Sequence, residues 1–148
     1  MLRTLAIHDF VIVDAIEIDL SAGFSVFTGE TGAGKSILID ALTLALGGRA
    51  DASVVREGAA RADITAEFAG PFDAALGEWL DQNALTGEDG VLFMRRVIDN
   101  GGRSKAFING ITATVTQLRE LGEMLVDIHG QHAHLSLIHI SEPTRRYA

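Results

Sequence analysis

The octapeptide GETGAGKS, residues 29–36, constrains this chain more than any other feature. Gly29, Glu30, Thr31, Gly32, Ala33, Gly34, Lys35 and Ser36 fit the pattern G-x-x-x-x-G-K-[ST] at every fixed position. The apolar run FSVFT (24–28) precedes it and reads as a short buried strand. After it, Ile37, Leu38, Ala41, Leu42 and Ala45 recur at helical spacing, and Gly47-Gly48 supplies a stop. Strand, glycine-rich loop and helix in that order form a phosphate-binding unit. The glycines let successive backbone N–H groups curl inward, and the helix N-terminus beyond them adds partial positive charge. Lys35 can reach the β- and γ-phosphates, and the Ser36 hydroxyl can ligate Mg²⁺. A plain glycine-rich turn is the competing reading, and the agreement of motif and context outweighs it. The motif alone does not choose between kinases, GTPases, motor ATPases and transporter-like ATPases.

Composition narrows the class. The 148 residues suit one domain, and 47% hydrophobic with 22% charged residues excludes disorder along the whole length. Cysteine is absent, so disulfides and thiolate metal sites are excluded. The net charge of −8 argues against a free-standing nucleic-acid binder, which has phosphates to neutralise. Neither a run of about 18 apolar residues nor a signal-peptide pattern is visible, so the expected compartment is the cytoplasm, with no membrane partner.

Along the chain, residues 4–13 read as a strand broken by His8 and Asp9, and residues 15–20 alternate with Ile16, Ile18 and Leu20 on one face. The two suggest an antiparallel pair. Residues 49–62 read as a loop with a short helix, and residues 63–68 as a strand with Ile64, Ala66 and Phe68 inward. Phe72, Ala75, Leu76, Trp79 and Leu80 share a predicted helix face. Residues 91–98 and 103–109 flank the turn Asp99-Asn100-Gly101-Gly102 and predict a hairpin, and Asn109-Gly110 marks a further turn. Thr114 and Gln117 fit a capping box ahead of Val115, Leu118, Leu121 and Leu125.

A P-loop enzyme also needs an acid near Mg²⁺. Asp127, at the end of the apolar run 124–127, is a candidate, although an Asp at the end of a strand or helix is the better reading. His129, His132 and His134 lie within six residues, but their spacing suits no zinc pattern. Gln131, just after an apolar strand, can orient a water or complete a Mg²⁺ shell; the plain alternative is a surface loop.

The opening LRTLAIHDF, the alternating strand and GETGAGKS together resemble the N-terminal ATPase lobe of SMC-like proteins. The stretches GGRADASVVREGAARADITAEF, RSKAFING and LVDIHGQHAH narrow the resemblance to a bacterial DNA-repair branch of that family, over residues 1–135. The resemblance implies an α/β P-loop NTPase fold: the N-terminal lobe of an ABC/SMC-type ATPase head, with an antiparallel β portion. It implies ATP and Mg²⁺ as cofactors, with Lys35 and Ser36 in the Walker A loop and Gln131 as the Q-loop residue beside Mg²⁺ and the attacking water. Arg56 matches an arginine that such heads place near nucleotide or DNA; a solvated loop arginine is the alternative. Under this reading Asp127 is not the Walker B acid, which comes with the signature motif from a C-terminal lobe after a long coiled coil. The implied partners are that lobe, DNA and a second head, with ATP clamping two heads in a homodimer that acts in double-strand-break repair. A DNA-facing role for Arg103 and Lys105 is weighed against a solvated strand face.

Residues 136–148, SLIHISEPTRRYA, do not continue the family pattern. They resemble a translated adapter read-through, and a non-native or disordered tail is expected there. Two rivals stay open: a small P-loop kinase, and a non-catalytic ATP-dependent dimerisation module.

Overall fold

The structure, a computed structural model, describes the backbone of residues 1–20 and 32–128, and side-chain surroundings for residues 1–20 and 36–125. Its frame is a six-stranded, wholly antiparallel sheet in the order β2-β1-β3-β4-β5-β6. The strands are β1 (Leu2–Phe10), β2 (Val13–Asp19), β3 (Arg61–Ala69), β4 (Val91–Asp99), β5 (Ser104–Ile108) and β6 (Ile111–Ala113). Among the described residues the helices are α1 (Gly32–Ala45), α2 (Ala74–Gln82) and α3 (Val115–Ile128), with a 3₁₀ turn at Ala52–Val54.

Period-two alternation decides what each strand buries. In β3, Ala62, Ile64, Ala66 and Phe68 are buried, while Arg61, Asp63, Thr65 and Glu67 face the other way. In β4, Leu92, Met94, Arg96 and Ile98 share the inner face. These residues meet Ala41, Leu42, Leu44 and Ala45 of α1, Leu76 and Leu80 of α2, and Leu118, Leu121 and Leu125 of α3 in one core. The outer face is polar and ion-paired. The Arg95 guanidinium forms a fork on Asp63, with Nε–Oδ1 3.0 Å and Nη2–Oδ2 2.5 Å, and lies over the Phe107 ring. Asp63 raises the pKa of Arg95 above its ordinary value.

Several expectations change at the boundaries. The first strand ends at Phe10 rather than at residue 13, because the chain turns at Val11 and Ile12. Val11 takes φ 55°, an uncommon conformation for a β-branched residue. The turn is secured by Val11 N–H donating to Val54 O at 2.7 Å and by the bridge between Phe10 and Val55. Ile16 is 40% exposed although it alternates with buried Ile18. Ala75 is exposed, and Leu85, just past α2, is buried with Leu76 and Leu80 instead. Residues 124–128 are helical, so the apolar run 124–127 belongs to α3 and is not a strand. The short β6 was not expected. Asn109 at φ 53° and Gly110 at φ 79° make the tight turn into it.

The capping box forms as read. Gln117 N–H donates to Thr114 Oγ1, and Thr114 N–H donates to Gln117 Oε1, each at 2.9 Å. Thr114→Ala is expected to cost about 1 kcal/mol, the usual worth of such a cap, in a urea titration. A change below a few tenths would mean that the cap contributes nothing to α3.

Candidate functional site

The phosphate motif enters the fold as the start of α1. Gly32 opens the helix, and Ser36 lies on its first turns, half-buried. A helix N-terminus leaves its first N–H groups without intrahelical acceptors and carries partial positive charge. The first turn of α1 holds no acidic side chain to neutralise that charge. This suits a phosphate. Residues 29–31, the side chains of Gly32, Ala33, Gly34 and Lys35, and Gln131 lie outside the described residues, as do Asp127's side chain, the three histidines and the 136–148 tail.

Arg56 is placed by a different element. Its backbone N–H donates to Asp9 O at 2.8 Å. Its guanidinium reaches Asp9 Oδ1 at 3.1 Å from Nε and Asp14 Oδ1 at 3.4 Å from Nη2. The residue therefore staples the 54–56 segment to the β1–β2 turn and has carboxylate partners of its own. Arg103 and Lys105 are exposed at the β4–β5 hairpin. There Asp99 accepts from the Arg103 and Gly101 N–H groups, each at 2.9 Å. The Arg103 N–H first, helped by the Gly101 N–H and by the charges of Arg103 and Lys105, holds the Asp99 carboxyl below its usual range. Among the described residues no cluster of three metal-ligating side chains occurs.

Sequence reasoning passed over Arg96. It is 3% exposed, the buried charged residue of the core. Its Nη1 donates to Leu44 O at 2.9 Å and to Gly48 O at 2.7 Å, at the far end of α1, and its Nε donates to Ser104 Oγ at 2.5 Å. Burial, and then the nearby Arg119 charge, lower its pKa from the ordinary arginine value. The signal was present in the alternation of β4: period two puts Arg96 on the face of Leu92, Met94 and Ile98 and leaves Arg95 outside.

The fold is that of the N-terminal lobe of an α/β ABC/SMC-type head, and the chain belongs to the AAA domain family, whose model matches residues 4–138. Its similarity to solved structures is to SMC heads and RecF. A chain from work on ATP-driven dimerization and DNA-stimulated activation of SMC ATPases superposes with TM-score 0.65 at 21% identity, over 83% of this chain and 78% of that one. The recombination mediator RecF gives TM-score 0.55 at 13% identity, over 80% of this chain and 29% of that one. Among curated proteins, the chain is similar to those named DNA repair protein RecN. That of Vibrio cholerae is 48% identical over 138 residues, 93% of this chain and 25% of the relative. That of Bacillus subtilis is 41% identical over 133 residues, 89% and 23% respectively. The resemblance to the bacterial repair branch of the SMC-like proteins is thus borne out. The chain spans about a quarter of the length of the curated relatives it matches. Among the described residues, no helix is long and apolar enough to cross a membrane.

Proposed function

We propose that residues 1–135 form the ATP-binding lobe of an SMC-like ATPase that acts in DNA double-strand-break repair in the cytoplasm. The observation that carries this reading is the motif GETGAGKS, whose residues from Gly32 on open α1, within a sequence 48% identical to a RecN protein. In this reading the N–H groups of residues 29–36 and the Lys35 ammonium hold the phosphates, and the Ser36 hydroxyl and the Gln131 side chain hold Mg²⁺. Bound Mg²⁺ would supply charge neutralisation between the phosphate oxygens. In this reading Arg56 is the arginine that such heads place near nucleotide or DNA, with its guanidinium oriented by Asp9 and Asp14. The Walker B acid and the signature motif are to come from a C-terminal lobe, with DNA and a second head as further partners. The 136–148 tail is assigned no part.

The test is Mg-ATP binding and phosphate release by the purified chain, alone and with a separately produced C-terminal lobe, with Lys35→Ala as control. Binding by the chain alone is expected, weakened about 100-fold in Lys35→Ala, since a charge-assisted phosphate contact contributes about 1.5–3 kcal/mol. Turnover is expected only with the second lobe. Lys35-dependent turnover by the chain alone would favour a kinase-like enzyme. Nucleotide-driven association without turnover, even with the lobe present, would make it a dimerisation module.

A further inference from the structure

The end of α1 opposite the phosphate motif is held at three points, one on β4 and two on α3. Arg96, from β4, clamps Leu44 O and Gly48 O through one nitrogen. Gly47 sits so close to α3 that a Cβ there would lie 2.6 Å from Arg119 N. Gly122 of α3 sits against Leu46, where a Cβ would lie 3.0 Å from Leu46 O. A helix C-terminus presents carbonyl groups without intrahelical donors and favours a cation. The last turn of α1 has no basic residue, so Arg96 supplies that cation from the neighbouring strand.

We propose that Arg96 is a positioning residue for the start of α1, where the described part of the phosphate motif lies. The inference rests on the nucleotide-binding role proposed above. An α-helix is stiff along its axis, so a fixed far end fixes where its first N–H groups stand, about 20 Å away for 14 residues. Displacement of phosphate donors by about 1 Å is enough to weaken an aligned contact severely. The same junction carries α3, which ends at Ile128, three residues before Gln131 in the sequence. One buried guanidinium therefore sets the axial position of the helix that begins within the phosphate motif.

The test compares Arg96→Lys with Thr114→Ala, a variant that weakens the fold at the start of α3, away from the clamp. Both are titrated with Mg-ATP by calorimetry at a temperature where urea titration shows each to be folded, and amide hydrogen exchange is followed in the nucleotide-free proteins. A lysine keeps the charge but cannot reproduce the guanidinium's planar fork of donors. Arg96→Lys is expected to bind Mg-ATP about ten-fold more weakly and to exchange faster at residues 40–46, with β1 and β3 unchanged. Thr114→Ala is expected to bind as the wild type does. Wild-type affinity in folded Arg96→Lys, or an equal loss in Thr114→Ala, overturns the proposal. If Arg96→Lys does not fold, Gly122→Ala presses on the same junction at Leu46, and unchanged affinity there overturns it too. A wild-type chain without Lys35-dependent binding overturns the nucleotide-binding role itself and the positioning role with it. Failure of the present inference alone leaves that binding intact.

Discussion

Ile64→Ala is expected to destabilise the protein by about 3 kcal/mol, within the usual 2–5 for emptying such a site. Ile64 is 0% exposed and stands in the middle of β3, opposite Ile7 of β1 and Arg96 of β4. α1 packs across this part of the sheet. Strands held in register on both sides cannot close over a missing side chain, so most of the cavity would persist. In a chain of this length the loss corresponds to a melting temperature lower by roughly 6–12 °C. A urea titration should show a lower midpoint with an unchanged slope. A loss below 1 kcal/mol would mean that the sheet and α1 are not packed on each other there.

Gly47→Ala is expected to cost about as much, for a different reason. Gly47 has φ 97°, and an added Cβ would lie 2.6 Å from Arg119 N and 2.7 Å from Arg119 Cα. Both are backbone atoms of α3, so one helix must shift. Gly58 separates the two contributions, because its φ is 87° but nothing lies within 4 Å of the same Cβ. Gly58→Ala should show only the conformational penalty, about 1 kcal/mol. Gly47→Ala should cost roughly 3 kcal/mol, with the clash added to that penalty. Equal losses in the two variants would show that α1 and α3 do not touch at Gly47.

Much of this was legible because local rules and global burial agree. The alternation of residues 63–68 survives as β3, the Asp-Asn-Gly-Gly turn as the β4–β5 hairpin, and Thr114 with Gln117 as a reciprocal cap. Each depends on neighbours in sequence. The misses depend on distant partners. Ala75 has the right spacing for the buried face, but Leu85, beyond the helix end, takes its place. Arg96 had a readable face but not a readable partner, since carbonyl groups 48 and 52 residues away decide that a guanidinium can be buried. β6 has three residues, too few for any period to show. For the site, the motif carried Gly29, Lys35 and Ser36 by residue type alone. The setting of Arg56 needed the fold, because Asp9 and Asp14 lie more than 40 residues away.

The strand order also bears on how the chain tolerates change. β1 lies between β2 and β3, so the segment that carries the phosphate motif leaves the sheet on one side of β1 and returns on the other. Asp19 stands opposite Thr4 and Asp63 opposite His8, so its two ends lie two strand spacings apart across the sheet and near opposite ends of β1 along it, roughly 20 Å from each other. Once a loop is closed, lengthening it costs little: doubling a flexible connection adds only about 0.6 kcal/mol of closure entropy. The sheet works as a fixed doorway, and a change of length in the connection is tolerated only where it leaves α1 and the 54–56 staple in place.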